Sequence, residues 1–399
     1  MSEWETVPAG SVATQRKDVV MLEPGVEYRT MGVRWYNKGA YDRGIGSTET
    51  IKAKRLFRAH EGDFVFNRID TQNGAFDVVP AELHGALATN EFPLYVPNPD
   101  RLLPRFLLLY FQQRSVLGQI DAMRAGSEGR SRWKEADFEA WRIPLPSLTE
   151  QRRIVDAVSA LDAQVEALEV EFAHVERVLD AMLTMETYGG AEWPRRAFSD
   201  VIDFREGPGI MAVDFRDAGV PLIRLAGLTP GESILAKCNY LDPQKVDKKW
   251  SHFRVELGDV LLSTSAALGR VAVVDAEGVG AIPYTGIIRM RPATDLVEPS
   301  YIPWLLRSAD FASQIADAGV GTTMAHFGPT HLRKMTIPLP PVETQLSIAE
   351  TLQQVHATQL VIASELTNLR AFRSALLASL LNQEIEIPES YDALLEEVS

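Results

Sequence analysis

The sequence has a single cysteine, Cys238, in 399 residues. An internal disulfide is therefore impossible, and no cysteine-based metal site can be built. Long apolar runs are also lacking. The longest, around residues 107–111, falls far short of the ~20 residues that a bilayer span needs. The opening stretch MSEWETVPAG has no basic-then-apolar pattern, so a cleaved secretory leader is not expected. Catalytic signatures are missing as well: no GxxxxGK[ST] phosphate loop, no GxSxG elbow, no HExxH pair. Nor is there an Asn-Pro-Pro-aromatic sequence of the kind amino-methyltransferases use on a flipped base; Asn98-Pro99-Asp100 reads as a turn. His326 and His331 stand five apart without carboxylate or cysteine company, which does not make a metal site. The glycines of residues 39–46 lack a following lysine and a strand–helix context, and we expect a surface loop there. These absences point to a soluble, cytoplasmic, non-catalytic chain that binds no metal and no membrane. Hydrophobic residues at 46% and charged residues at 24% are ordinary globular values. At roughly 150 residues per domain, the length predicts two or three domains.

What the chain does have is a repeat. Ile143-Pro144-Leu145-Pro146 recurs as Ile337-Pro338-Leu339-Pro340, a shift of 194 positions, and at that shift Gln151 meets Gln345 and Ile154 meets Ile348. Upstream, Phe57-Arg58 with Gly62-Asp63 returns as Phe253-Arg254 with Gly258-Asp259, at a shift of 196. Pro104 and its apolar followers answer Pro299, Tyr301, Ile302 and Leu305, and Glu3-Trp4 answers Glu192-Trp193. Matches in one order at nearly constant spacing mark a tandem duplication of a long unit, hence duplicated domains and not a solenoid.

Each unit splits in two. The front carries short β-rich runs, such as residues 63–66, 260–262, 271–274 and 287–290, punctuated by turn residues, and predicts an α+β head. After the proline pair comes a long helix. Ser147-Leu148-Thr149-Glu150 fits a capping box. From there Ile154, Val158, Leu161, Val165, Leu168, Phe172, Val175, Leu179 and Met182 hold a three–four spacing. The second copy keeps Ile348, Leu352, Val355, Ile362, Leu366, Leu369 and Leu376, interrupted at Gln359 and Arg373. Such stripes are coiled-coil seams. At ~1.5 Å per residue each helix of ~37 residues spans ~55 Å, longer than a head of this size is wide. Pairing with each other is the economical solution. A two-fold relation between the repeats would make the pair antiparallel with a head at each end. The expected layout is residues 1–145 (first head), 146–189 (central helix), 190–336 (second head), 337–385 (distal helix) and 386–399 (acidic tail).

The formal net charge of −14 argues at first against a nucleic-acid partner. Counted by segment, however, residues 1–145 are net 0 and 190–336 net −1, while 146–189 carry −6 and 337–399 carry −7. The heads are balanced, and the acid sits on the helices and tail. An acidic spacer would avoid phosphate and suit a basic protein partner; a merely solvated acidic face would have the same composition.

The remaining chemistry is that of recognition. In the first head Arg34, Tyr36, Asn37, Lys38, Tyr41 and Arg43 interleave basic, amide and aromatic side chains, and Lys52, Lys54 and Arg55 follow. A second cluster holds Arg124, Ser127, Arg130, Arg132, Trp133 and Lys134. In the second head the corresponding stretch has Thr322, Thr323 and, just beyond, His326; Lys245, Lys248, Lys249 and Trp250 form another basic–aromatic group. Arginine, lysine, asparagine and glutamine can read guanine and adenine edges, while hydroxyls and lysines suit phosphates. Any one loop alone reads as an ordinary solvated loop. Together, matched scaffolds with divergent loops are what a reader of two different DNA half-sites needs.

The head–helix–head–helix order and the two helix starts, Ile143-Pro144-Leu145-Pro146 with Glu150-Gln151-Arg152-Arg153-Ile154 and Ile337-Pro338-Leu339-Pro340-Pro341 with Gln345 and Ile348, resemble the specificity (S) subunits of type I restriction–modification systems. Residues 207–224 also resemble the opening of that family's recognition domain. Thr344 departs from the pattern where the first copy has Glu150, which would weaken the cap and leave the helix intact. The resemblance implies a non-enzymatic subunit whose heads each read half of a bipartite, asymmetric site in double-stranded DNA, with paired helices setting the spacer. It implies two methyltransferase (M) subunits docked on the helices, bringing S-adenosylmethionine for N6-adenine methylation. It also implies restriction (R) subunits bringing ATP and Mg, and no cofactor on this chain. A two-headed coiled-coil scaffold that binds proteins and no DNA is the alternative; net acidity favours it and the basic–aromatic loops oppose it.

Overall fold

The structure, a computed structural model, describes residues 4–123, 132–188, 193–264, 268–318 and 327–392. It is of mixed α+β class and divides into two compact units, residues 1–167 with 366–399, and residues 168–365. Within the described residues no helix is long and apolar enough to cross a membrane.

The repeated motifs become repeated structure. In the first unit Glu5–Pro8 pairs antiparallel with the return strand Arg142–Leu145, Val7 facing Ile143. In the second, Arg195–Ala197 pairs with Thr336–Pro338, Arg196 facing Ile337. The Ile-Pro-Leu-Pro motif is thus the strand that closes each head. Its isoleucines and leucines are buried, and a two-stranded ladder leaves an open edge that tolerates proline. A four-stranded sheet follows in each unit. The first runs Ala13–Gln15, Leu94–Pro97, Phe64–Phe66, Phe76–Val78; the second runs Ile202–Glu206, Ile287–Pro292, Val260–Ser263, Val271–Val273.

The Gly-Asp pair builds the same turn twice. Gly62 (φ 82°) and Gly258 (φ 83°) take a left-handed conformation that suits only glycine. Their amides donate to Val79 O and Val274 O, both at 2.9 Å. The buried Asp63 accepts from Arg16 Nε at 2.6 Å, and Asp259 accepts a two-pronged contact from Arg291 at 2.7 and 2.6 Å. A buried carboxylate needs such a partner.

The long helices are Leu148–Tyr188 and Val342–Leu381. Ser147 Oγ accepts from the Glu150 amide at 3.2 Å, as an N-cap does. Pro341 stands in the place of Ser147, so the second helix starts without a cap hydroxyl and is nonetheless intact. Both helix starts are locked by the same fully buried amide. Gln151 Nε2 donates to Arg101 O (2.8 Å) and Pro146 O (2.9 Å) while its Oε1 accepts from Leu103 N (2.8 Å). Gln345 does likewise with Leu296 O (2.8 Å), Pro340 O (2.7 Å) and Glu298 N (2.9 Å). All the hydrogen-bonding capacity used here is matched inside the protein, which is what burial of an amide requires.

All fourteen seam residues named above from Ile154 to Leu179 and from Ile348 to Leu369 are buried or half-buried. In the first unit Ile154 and Val158 share a core with Leu377, Leu380 and Leu381. In the second, Leu179 and Leu183 share one with Ile348 and Leu352. Within each unit the pairing is antiparallel, because rising numbers on one helix meet falling numbers on the other. The two seam interruptions carry polar bonds: Arg373 grips Asp162 at 2.6 and 3.0 Å, and Gln359 Oε1 lies 3.2 Å from His356 Nδ1. Beyond the distal helix the acidic segment is not wholly free. Ile387 packs on the first core and Asp392 holds Arg153 at 2.7 and 2.6 Å.

Candidate nucleic-acid interface

The third sheet is where the two heads part. In the first it has five strands in the order Val19–Met21, Arg55–Arg58, Leu87–Ala88, Tyr28–Arg34, Gly39–Gly46. In the second it has four, Phe215–Arg216, Asn239–Leu241, Val220–Ile223, Ile282–Pro283. The closing ladder and the four-stranded sheet match between heads, and in the first head the predicted recognition residues from Arg34 to Lys54 lie on or beside the sheet that does not.

In the first head the glycine-rich segment expected as a loop is the strand Gly39–Gly46, paired along Tyr28–Arg34. The expectation failed because glycine serves two purposes here. Gly39 (φ 71°) and Gly44 (φ 88°) supply left-handed backbone at the turn and at a register shift between Thr30 and Met31. The connecting turn has Tyr36 (φ 62°) and Asn37 (φ 55°), the paired positive angles of a type I′ hairpin turn. For a tyrosine that conformation is strained. It is held by Tyr36 N donating to Asn73 O (2.6 Å) and Asn37 N to Gly74 O (3.0 Å), and Tyr36 itself is 71% exposed. Behind the turn, Asp77 accepts from Ala40 N at 2.6 Å, and burial pushes its carboxyl above the usual range.

Arg34, Asn37, Lys38, Arg43, Lys52, Lys54 and Arg55 are all exposed. The Arg34 guanidinium lies 4.2 Å over the Tyr41 ring. Gly32 makes room for the row: a β-carbon there would stand 2.9 Å from Arg43 Cδ and 3.0 Å from the Tyr41 ring. Arg43 and Lys52 also line a groove of about 520 Å³ with Ile45, Thr50, Ile51 and Glu91. Glu91 takes an ion pair from Arg132 (3.1 Å), so a residue distant in sequence is brought to the rim of the same groove. Arg124, Ser127 and Arg130 lie outside the described residues. Lys134 is exposed, whereas Trp133 is not part of any surface; it packs on Phe66, Phe76, Phe111 and Phe138 at 5.0–5.9 Å.

In the second head Lys248 and Lys249 are exposed at the end of helix Pro243–Lys249. At the 196-residue shift Lys248 is the counterpart of Lys52. Lys245 is committed elsewhere: its ammonium pairs with Asp214 and sits 5.5 Å from the Trp250 ring. Thr322, Thr323 and His326 lie outside the described residues. His331, weighed as a ligand, instead stacks on Phe327 at 5.6 Å, and its Nδ1 accepts from Gly328 N. Sequence reasoning missed Arg224. Its guanidinium lies 4.1 Å over Tyr284 and 5.8 Å from Phe215, and one of its nitrogens is buried without a hydrogen-bond partner among the described residues. The only signal was its place at the end of the 207–224 motif. Gly207 in that motif allows a close backbone approach, since a β-carbon would fall 2.1 Å from Pro283 O. Each head therefore has an arginine stacked on a tyrosine on or next to its third sheet, Arg34 on Tyr41 in the first and Arg224 on Tyr284 in the second. Guanidinium and ammonium groups on an aromatic, water-facing surface suit phosphates and base edges.

Residues 1–177 and 191–370 each match the family described as Type I restriction modification DNA specificity domain. The specificity subunit of the type I restriction enzyme MjaVIII from Methanocaldococcus jannaschii is 21% identical over 238 residues, 55% of this chain and 56% of that protein. The chain spans about half the length of the curated relatives it matches. A chain of a type I R-M system solved for its complex assembly and conformational transition shares the fold at TM-score 0.59 and 21% identity, covering 96% of this chain and 98% of that one. The type I restriction-modification S subunit of M. genitalium does so at TM-score 0.61 and 13% identity, covering 94% and 96%. With two matched domains over most of its length, the chain belongs to the type I restriction–modification DNA specificity family.

Proposed function

We propose that this chain is the DNA-reading subunit of a type I restriction–modification complex. Each head reads one half of a bipartite, asymmetric site, and the long helices set the gap between halves and dock the methyltransferase subunits. The observation that carries this reading is the contrast between sheets. The closing ladder, the Gly-Asp turn and the glutamine clamp are the same in both heads, while the third sheet differs in strand number and has exposed basic side chains on or beside it. A fixed mount with a changed face is what two different half-sites ask for. The chain contributes no catalytic group in this reading. S-adenosylmethionine and ATP belong to the partner subunits, and the partner flips the target adenine out of the stack.

The test is an adenine-methylation map of cells producing this chain with a cognate methyltransferase subunit. One motif of two short specific parts around an unspecified gap is the expected result. Co-purification without any motif or duplex affinity would favour the protein-scaffold reading instead.

A further inference from the structure

The duplication allows each unit to serve as a control for the other, and one position differs in charge. In the first unit Arg373 donates to Asp162 at 2.6 and 3.0 Å and to Gln112 Oε1 at 3.0 Å, so a guanidinium, a carboxylate and an amide close a compact set. At the 194-residue shift of the glutamine clamp, Asp162 corresponds to His356. Gln112 precedes the N-cap of Arg114–Ala122, as Arg307 precedes the N-cap of Ala309–Asp317. By the register of the packed helix ends, Arg373 corresponds to Val175. The second unit thus keeps a cation, moves it to Arg307, and has lost the acid.

Arg307 and His356 line a cavity of about 300 Å³ in the second unit, with Leu228, Ile234 and Leu360 as apolar wall and Glu232 and Asp275 also on the lining. The Arg307 guanidinium lies 5.0 Å over the Trp304 ring, whose centroid is 5.7 Å from that of the His356 imidazole with the two rings nearly perpendicular. Its one hydrogen bond among the described residues is a long 3.4 Å contact to Val271 O, and no carboxylate of the described residues pairs with it. Burial alone weakens its hold on its proton, and the same burial, followed by Arg307, keeps His356 below its ordinary value. An arginine withdrawn from water without a counter-charge is costly.

We propose that the Arg307–His356 cavity receives a carboxylate side chain of the docked methyltransferase subunit, filling the place that Asp162 fills in the first unit. The identity of that partner rests on the function proposed above; the carboxylate chemistry does not. A planar carboxylate matches the guanidinium fork. Glu232 and Asp275 on the lining oppose a doubly charged phosphate more strongly than a singly charged carboxylate, and the apolar wall fits the methylene stem of an acidic side chain.

The test compares the full-length wild type with R307Q, which restores the residue of the first unit, and H356D, which installs the missing acid. Each is titrated with the methyltransferase subunit, and thermal unfolding is followed alongside. Loss of one charged hydrogen-bonded pair corresponds to about a 10- to 100-fold weaker complex. Both variants should show it, and H356D should melt no lower than wild type because Arg307 gains an internal partner. Wild-type affinity in both folded variants would overturn the proposal. On the chain alone, acetate should move the His356 ring resonance in wild type and not in R307Q, with sulfate at equal ionic strength inert. A response to sulfate and none to acetate would overturn the carboxylate assignment. An acetate response in a chain that forms no complex with the methyltransferase would uphold the carboxylate site and sink the functional reading.

Discussion

Gln151 and Gln345 show how much a single side chain can fix. Each places its amide where three main-chain groups would otherwise be buried unpaired. Replacing Gln151 with alanine should cost ~2–4 kcal/mol of stability, the penalty of orphaning buried polar groups; urea unfolding of the variant measures it, and Q345A should behave alike. His356 supplies a pH dependence. Its imidazole is disfavoured as a cation by burial and then by Arg307, so the unfolded chain takes up a proton near pH ~6.5 before the folded one does. Stability therefore rises with pH through the window below that value and falls as the medium is acidified. H356Q should flatten the dependence in melts run between roughly pH 5 and 7. These positions differ in how far sequence revealed them. The glutamines were visible as a repeat match, but their bonding was not, because all their partners are main-chain atoms. The charge exchange at Arg307 was hidden because it needs two different shifts to align Gln112 and Asp162.

At the level of elements, the helices were the most legible. A three–four stripe needs only local periodicity, and the seam residues it picks out from Ile154 to Leu179 and from Ile348 to Leu369 are buried or half-buried. Gly39–Gly46 was not legible, since its pairing with Tyr28–Arg34 is what makes a strand of glycines that propensity would discard. Trp133 was misplaced for the converse reason: flanked by charged residues in sequence, it enters an aromatic core that only the tertiary fold assembles. The basic surface of the first head yields a quantitative expectation. If Arg43 and Lys52 face phosphates, R43A/K52A should lower the slope of log affinity against log salt by about two. Binding of labelled duplex across a salt series reads this directly. An unchanged slope would remove both residues from the interface.

For the molecule as a whole, duplication is evident from spacing, and counting by segment puts the chain's excess acid on the stretches read as helices and tail. What composition could not say is which face of a neutral head is basic, since that depends on where Asp42, Asp63 and Asp77 are spent. Asp42 is engaged by the Gly44 amide and Arg29, which hold its carboxyl below the usual range; Asp63 by Arg16; Asp77 by the Ala40 amide. Exchange of residues 1–142 for another head of the family should change one half of the methylated motif and leave the other intact. Methylation mapping of the chimera decides it, and a change in both halves would refute independent heads.

The glutamine clamp bears on how such a protein acquires new specificities. Its bonds go to the main chain at positions 101, 103 and 146 in one copy and 296, 298 and 340 in the other. The residues there are Arg, Leu and Pro in the first and Leu, Glu and Pro in the second. A joint that ignores the identity of what it holds exerts no selection on it. Substitutions can accumulate across a head, or a whole head can be traded between lineages, without any compensating change at the hinge, so the mount outlives the sequences it carries.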